Sequence, residues 1–299
     1  MAMTRRDFLA APAAAPLAAA GTTATATAPG RPMLCIFSKH MPKYGWAELG
    51  VKAKEAGFDG VDLTVRPGGH VAPERAAEDL PRAVEAIRKA GVEVPMITTG
   101  LISAADPAAR PTLEAMKKAG VPLFKTGYWR YRRGVPSLKI LEDTRKLFLE
   151  LVDLSRAAGV TIGLHNHSAD YVGCSVWDYR ELLAGVDPKD AGYYYDPGHA
   201  VVEGGGHGWR VSLDLVSERL RMAAIKDFHW EKTEKGWRVR WRPLGEGMVQ
   251  WGEFFKRFAE IRFTGPLSLH VEYPGGEEPQ AIAADLAFMK NQVAAAYGA

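Results

Sequence analysis

The chain has 299 residues, 47% of them hydrophobic and 24% charged, with a formal net charge of +3. This is ordinary globular usage with apolar material for one sizeable core, and the mild charge gives no basic face for nucleic acid. No apolar run reaches the roughly 18 residues a membrane span needs, and two cysteines, Cys35 and Cys174, with no CxxC pair exclude a thiolate metal site.

Residues 1–28 read as a targeting segment. Arg5 and Arg6 stand before "DFL" and an Ala-rich stretch with Ala-x-Ala sites ending at Ala20 and Ala28. This resembles a twin-arginine signal peptide, which implies export of a folded protein to the periplasm. Residues 31–299 then form one domain.

From Pro32 onward a unit repeats: a short apolar run, a turn, and an amphipathic helix closed by glycine. "PMLCIFS" precedes a helix around Trp46 to Ala56, and "GVDLTV" one from about Pro73 to Ala90. "VEVPMITT" leads to a helix ending at Ala119, and "LFKTGYW" to one from about Leu138 to Ala158. "VTIGLHNH", "AGYYYDPGHA", "MAAIKDFHW" and "GPLSLHVEY" open the last four units, the seventh with a polar excursion before its helix. Glycines after the helices supply left-handed C-caps. Eight alternating units predict a parallel sheet closed into a single (β/α)8 TIM barrel. An open doubly wound sheet would bring a GxGxxG turn after its first strand, and "FSKHMPKYGW" has none. The glycines Gly204 to Gly206 lack the Lys-Ser/Thr of a phosphate loop.

Catalytic groups of this fold stand at the C-terminal ends of the strands. The titratable residues collect there: Arg66 and His70 after the second run, Lys125 and Tyr128 after the fourth, His165 and His167 after the fifth. Asp196 and His199 follow the sixth, Lys226, Asp227 and His229 the seventh, and His270 and Glu272 the eighth. Residues i and i+2 of a strand share a face, so His165 with His167, and His270 with Glu272, point alike. Imidazoles and carboxylates converging this way are a ligand set for manganese, iron, cobalt, nickel or zinc; manganese is the first expectation, with cobalt, zinc, iron or magnesium as alternatives. Arg66, His70, Lys125, Trp129 and His199 are the expected substrate-binding residues: the cations for hydroxyls or an acidic group, the indole to stack on a ring.

"YYYDPGH", "IKDFHW", "PLGEGMVQWGEFF" and "GPLSLHVEY" resemble the xylose isomerase-like TIM-barrel superfamily, the sugar phosphate isomerases and epimerases. The resemblance covers nearly the whole of residues 31–299 and implies a divalent metal cation held by Glu, Asp, His and Glu. The Asp falls on Asp196 and the last Glu on Glu272. The first Glu position is His165, and the His position before Lys226 is Ala224, with His229 as a loop substitute. The expected metal set is therefore His165, Asp196, His229 and Glu272, and the expected catalytic set Glu272, His167 and Lys226. The resemblance implies a metal-dependent sugar isomerase or epimerase that abstracts a proton next to a carbonyl. Loss of one carboxylate keeps open a metal-dependent dehydratase on a keto-sugar or keto-polyol, similar to inosose dehydratase. The departures from the ligand pattern also leave open a non-catalytic sugar-binding barrel. The expected partner is a small sugar or keto-sugar, and association into a homo-oligomer stays open.

Overall fold

A computed structural model describes residues 30–298; the expected signal peptide lies outside them. Eight strands close into a parallel barrel: β1 (Leu34–Phe37), β2 (Gly60–Val65), β3 (Glu93–Thr99), β4 (Leu123–Lys125), β5 (Thr161–His165), β6 (Ala191–Tyr195), β7 (Leu220–Ile225) and β10 (Leu267–Leu269). Each strand pairs with its sequence neighbour among the eight, and β10 returns to β1 through Leu34–Leu267 and Ile36–Leu269. The intervening β8 (Asp227–Thr233) and β9 (Gly236–Arg242) form a separate antiparallel hairpin.

The helices are α1 (Trp46–Ala56), α2 (Ala76–Lys89), α3 (Ala109–Ala119), α4 (Ser137–Ala158), α5 (Val176–Leu183), α6 (Pro197–Ser217), α7 (Trp251–Glu260) and α8 (Pro279–Tyr297). Their apolar faces and the outward side chains of the strands form one continuous buried layer, including Leu63, Phe124, Phe148, Ile162, Phe254 and Leu286. A fully buried Leu or Phe contributes about 1.5–3 kcal/mol, so this layer is the main source of stability. Gly57, Gly120 and Gly159 close α1, α3 and α4 at positive φ, as the glycine pattern requires. Gly204 to Gly206 lie within α6, which kinks at Gly205, and not in a phosphate loop. Among the described residues no helix is long and apolar enough to cross a membrane. Both cysteines are free, Cys35 buried and Cys174 half-buried.

The barrel interior is a second, smaller cluster of Met96, Tyr194, Met222 and Ala224. A side chain at Gly163 of β5 would collide with Met222 and crowd Tyr194, so the strand carries none there. Above this plug lies a polar layer. Asp62 of β2 accepts hydrogen bonds from Thr98 at 2.8 Å, Ser268 at 2.8 Å and Tyr194 of the opposite strand β6 at 3.2 Å. Burial pushes the Asp62 carboxyl up to about 6 against the pull of these hydroxyls.

The seventh unit departs from the sequence reading. "MAAIKDFHW" is not one strand: β7 stops at Ile225 and the chain turns out at Lys226 into the hairpin. Asp227 is the reason. Its carboxylate accepts from the backbone N–H groups of Phe228 (2.8 Å), Gly245 (3.0 Å), Gly247 (3.3 Å) and Val249 (3.1 Å), and from the Trp251 indole (2.9 Å). One buried carboxylate thus anchors the "PLGEGMVQW" loop to the end of β7.

Candidate active site

Four strand ends deliver the central groups. β5 ends at His165 and runs on into Asn166 and His167. β6 leads to Asp196, the N-cap of α6, whose carboxylate accepts from His199 N at 3.0 Å. β7 leads to Lys226, and β10 to His270 and Glu272. Asn166 fixes the turn after β6 from both sides, donating to the Asp196 carbonyl at 3.0 Å and accepting from the Asp196 N–H at 2.7 Å.

The Lys226 ammonium stands between the two carboxylates, 3.2 Å from Asp196 Oδ2 and 3.1 Å from Glu272 Oε2. Lys39 holds the other Glu272 oxygen at 2.8 Å. Burial alone would lower the Lys226 pKa; Asp196 and Glu272 outweigh it and hold the lysine above its ordinary value. Burial likewise works to raise Glu272, but Lys226, His270 and Lys39 hold its carboxyl far below the usual range. Asp196 is pushed up by burial in spite of Lys226. Glu272 is therefore the fully ionised partner of the ammonium.

Hydrogen-bond partners assign the protons of His165 and His167. His165 Nε2 faces Asp196 Oδ2 at 3.1 Å, and Tyr128 Oη lies 2.7 Å from Nδ1. The carboxylate accepts, so Nε2 carries the hydrogen and Nδ1 accepts from the tyrosine. His167 donates from Nδ1 to the Ser168 carbonyl at 2.9 Å, which leaves Nε2 as a lone pair with no hydrogen-bond partner among the described residues. Burial and the nearby Lys226 push His167 down to about 4, so it is a neutral acceptor at physiological pH. His270 stacks on Phe37 at 4.5 Å and meets Tyr194 Oη at 3.1 Å.

His165, His167, Lys226, His270 and Glu272 line a cleft of about 110 Å³ at the strand ends, which Lys39, Arg66, Lys125, His167, Lys226 and Glu272 give its charge and basicity, while Asp196 lies behind its wall. A larger groove of about 520 Å³, over Pro81, Val84 and Arg88, carries no convergent chemistry. Lys125 is buried in the cleft wall with its ammonium 3.4 Å from the Tyr128 ring centroid and no carboxylate partner among the described residues. Burial, with Arg66 and Lys226 adding, pushes it well below its ordinary value.

Of the expected sugar-binding residues, Arg66 and Lys125 line this cleft. His70 instead braces the loop after β2, its Nδ1 3.1 Å from Thr64 Oγ1 and its carbonyl receiving the Trp46 indole. Trp129 is buried between strands and helices, edge-on to Phe148 and donating to the Ile102 carbonyl at 3.0 Å. His199 is fully buried against the His167 ring, with Nδ1 2.8 Å from Ser168 Oγ. The structure adds Lys39, Asn166, Tyr194 and Trp241, which the strand-end pattern does not single out. Trp241 projects from β9, its ring 4.5 Å from the Lys226 ammonium and 5.0 Å from the His199 ring.

The expected metal ligands do not form an open donor set. His229 sits opposite Arg240 on the hairpin, on the face away from Trp241 and hence away from the cleft. Ala224 offers no ligand. His165 presents a hydrogen, not a lone pair, to Asp196, and both carboxylates are spanned by Lys226. Among the described residues no group of three or more His, Cys, Asp or Glu is arranged to hold an ion.

A family model described as xylose isomerase-like TIM barrel matches residues 51–292. No curated protein sequence matches. The fold is similar to that of the 3-keto-D-glucoside 4-epimerase of E. coli, with TM-score 0.69 and 15% identity over 87% of this chain and 100% of that one. It is equally similar to a probable 3-DHS dehydratase of Bacillus anthracis, with TM-score 0.69 and 16% identity over 87% and 99%. A xylose isomerase-like TIM-barrel protein of Mycobacterium smegmatis, solved in complex with magnesium, gives TM-score 0.68 and 16% identity over 89% and 98%.

Proposed function

We propose that this chain, which belongs to the xylose isomerase-like TIM-barrel family, is a sugar isomerase or epimerase that removes and returns a proton at the carbon next to a carbonyl. The carrying observation is His167: its Nδ1 is tied to the Ser168 carbonyl, its Nε2 has no partner among the described residues, and the residue lines a cleft together with Lys226. A neutral imidazole takes the proton from carbon, and the electron pair moves onto the carbonyl oxygen, which becomes an enolate. An ammonium at that oxygen stabilises the developing charge. The His167 imidazolium then returns the proton to the enolate, while Glu272, ionised beside Lys226 and Lys39, holds the ammonium in place. Arg66 and Lys125 would orient the remaining hydroxyls.

The expected divalent metal would polarise the carbonyl, but the donor set does not suit it, and no step here is routed through one. The unlike pair of an imidazole and a carboxylate also supports a second reading, elimination of a hydroxyl β to the carbonyl. Support for either comes from the family and from the epimerase and the dehydratase that share the fold. Incubation with a panel of keto-sugars and keto-polyols in D2O decides between them. Deuterium next to the carbonyl with retained mass otherwise marks an isomerase or epimerase; loss of water marks a dehydratase; neither deuterium nor loss of water with any substrate rejects both. Export to the periplasm remains part of this reading, supported by the Arg5-Arg6 pair.

A further inference from the structure

The relationship between Lys226 and the two carboxylates bears on what kind of cation this barrel uses. Asp196 and Glu272 project from strand ends on either side of β7, and a cation between them is an electrostatic necessity. Lys226 supplies it from β7 itself, at 3.2 and 3.1 Å, nearly fully buried. Two further features remove alternatives to the lysine. Ala224, which shares the inward face of β7 with Lys226, packs against Met96, Tyr194 and Met222 and brings no donor atom. His165 spends its Nε2 hydrogen on Asp196 Oδ2, with Tyr128 on its other nitrogen. Asp196 Oδ2 thus already receives two donors, and Glu272 is held at both oxygens. Trp241 covers the ammonium on the side away from the cleft lining, its ring centroid 4.5 Å away.

We infer that the Lys226 ammonium is the resident cation of this site, standing where a divalent metal would otherwise bridge Asp196 and Glu272, so that the protein holds no tightly bound metal ion. That Lys226 then meets the reacting carbonyl oxygen rests on the isomerase reading above; the identity of the cation does not.

The test needs no substrate. Wild-type protein is incubated with MnCl2, desalted and subjected to elemental analysis, and its thermal unfolding is followed with and without millimolar MnCl2 and with EDTA. A ligand that binds only the folded state raises its stability, so a tight site would show as an upward shift. The expected result is far less than stoichiometric manganese and an unfolding temperature indifferent to MnCl2 and to EDTA. Lys226→Met removes the ammonium and leaves two carboxylates facing one another. The folded variant is expected to be less stable than wild type and to recover stability with MnCl2. A wild type that retains stoichiometric manganese overturns the inference, as does a folded variant no more responsive to manganese than the wild type. If Lys226→Met does not fold, the wild-type measurement still decides. Failure of every sugar to exchange deuterium would sink the proposed activity and leave this result standing.

Discussion

The Tyr128 hydroxyl lies 2.7 Å from His165 Nδ1 and, together with Asp196 at Nε2, sets which nitrogen of that buried imidazole carries the proton. The other nitrogen then donates to Asp196 at 3.1 Å, and the chain Tyr128–His165–Asp196–Lys226 runs through four strand ends or the loops that follow them. Tyr128→Phe breaks the first link. It should cost about 1–2 kcal/mol in denaturant unfolding, since a buried acceptor loses its donor. Long-range 15N spectra should show His165 as a pure Nε2–H tautomer in the wild type and a mixture in the variant. An unchanged tautomer would mean that Asp196 alone fixes the ring.

His40 gives a pH dependence. It is buried, its Nε2 has no partner among the described residues, and burial pushes it from 6.5 down to about 4. The folded state therefore favours neutral imidazole, while the unfolded chain takes up the proton first. Stability from this group is complete above pH 6.5 and is lost as pH falls through the interval to about 4. The full loss is about 3 kcal/mol. His40→Leu should be close to wild type at neutral pH and more stable than wild type at about pH 5, where the wild type has begun to lose this term. Urea unfolding of both proteins at the two pH values checks it; equal losses on acidification would assign the acid sensitivity elsewhere.

Asp227 should be the most costly single position in the seventh unit. Asp227→Asn places an amide donor among four backbone N–H groups and an indole N–H that all need an acceptor. The expected loss is about 2–4 kcal/mol. Hydrogen exchange should rise selectively across residues 245–251 and the hairpin that carries Trp241. Exchange that stays at the wild-type rate there would show that the hairpin is held by its apolar contacts instead.

Much of the barrel is legible in the sequence because its signals are local. Apolar runs of five or six residues, glycine caps and amphipathic helices recur in register, and α1 and α4 fall within a residue of the expected bounds. The strand-end rule also brings the right strands together, since Arg66, Lys125, His165, His167, Lys226 and Glu272 all line one cleft. What the pattern cannot carry is direction after a strand has ended. Trp129, His70 and His199 follow strands closely, yet each turns into packing or loop bracing, because loop backbone at Trp129 and His70 and the first turn of α6 at His199, not strand alternation, aims them. His229, expected as a loop substitute for the ligand missing at Ala224, lies instead on β8, on the hairpin face away from Trp241. Lys39 and Asn166 have no sequence signal of their own: their roles exist only through Glu272 and Asp196, 233 and 30 residues away.

The central claim is that His167 moves the proton. The direct measurement is deuterium uptake from D2O into the carbon next to the carbonyl of a keto-sugar that the wild type turns over, compared with His167→Gln. Glutamine keeps a polar group of similar reach but accepts no proton near neutral pH. The account predicts exchange slowed by roughly 10²–10⁴-fold, the usual contribution of a general base, with substrate binding in calorimetry within a few-fold of wild type. Exchange by His167→Gln at the wild-type rate would contradict it and pass the proton-transfer role to another group of the cleft.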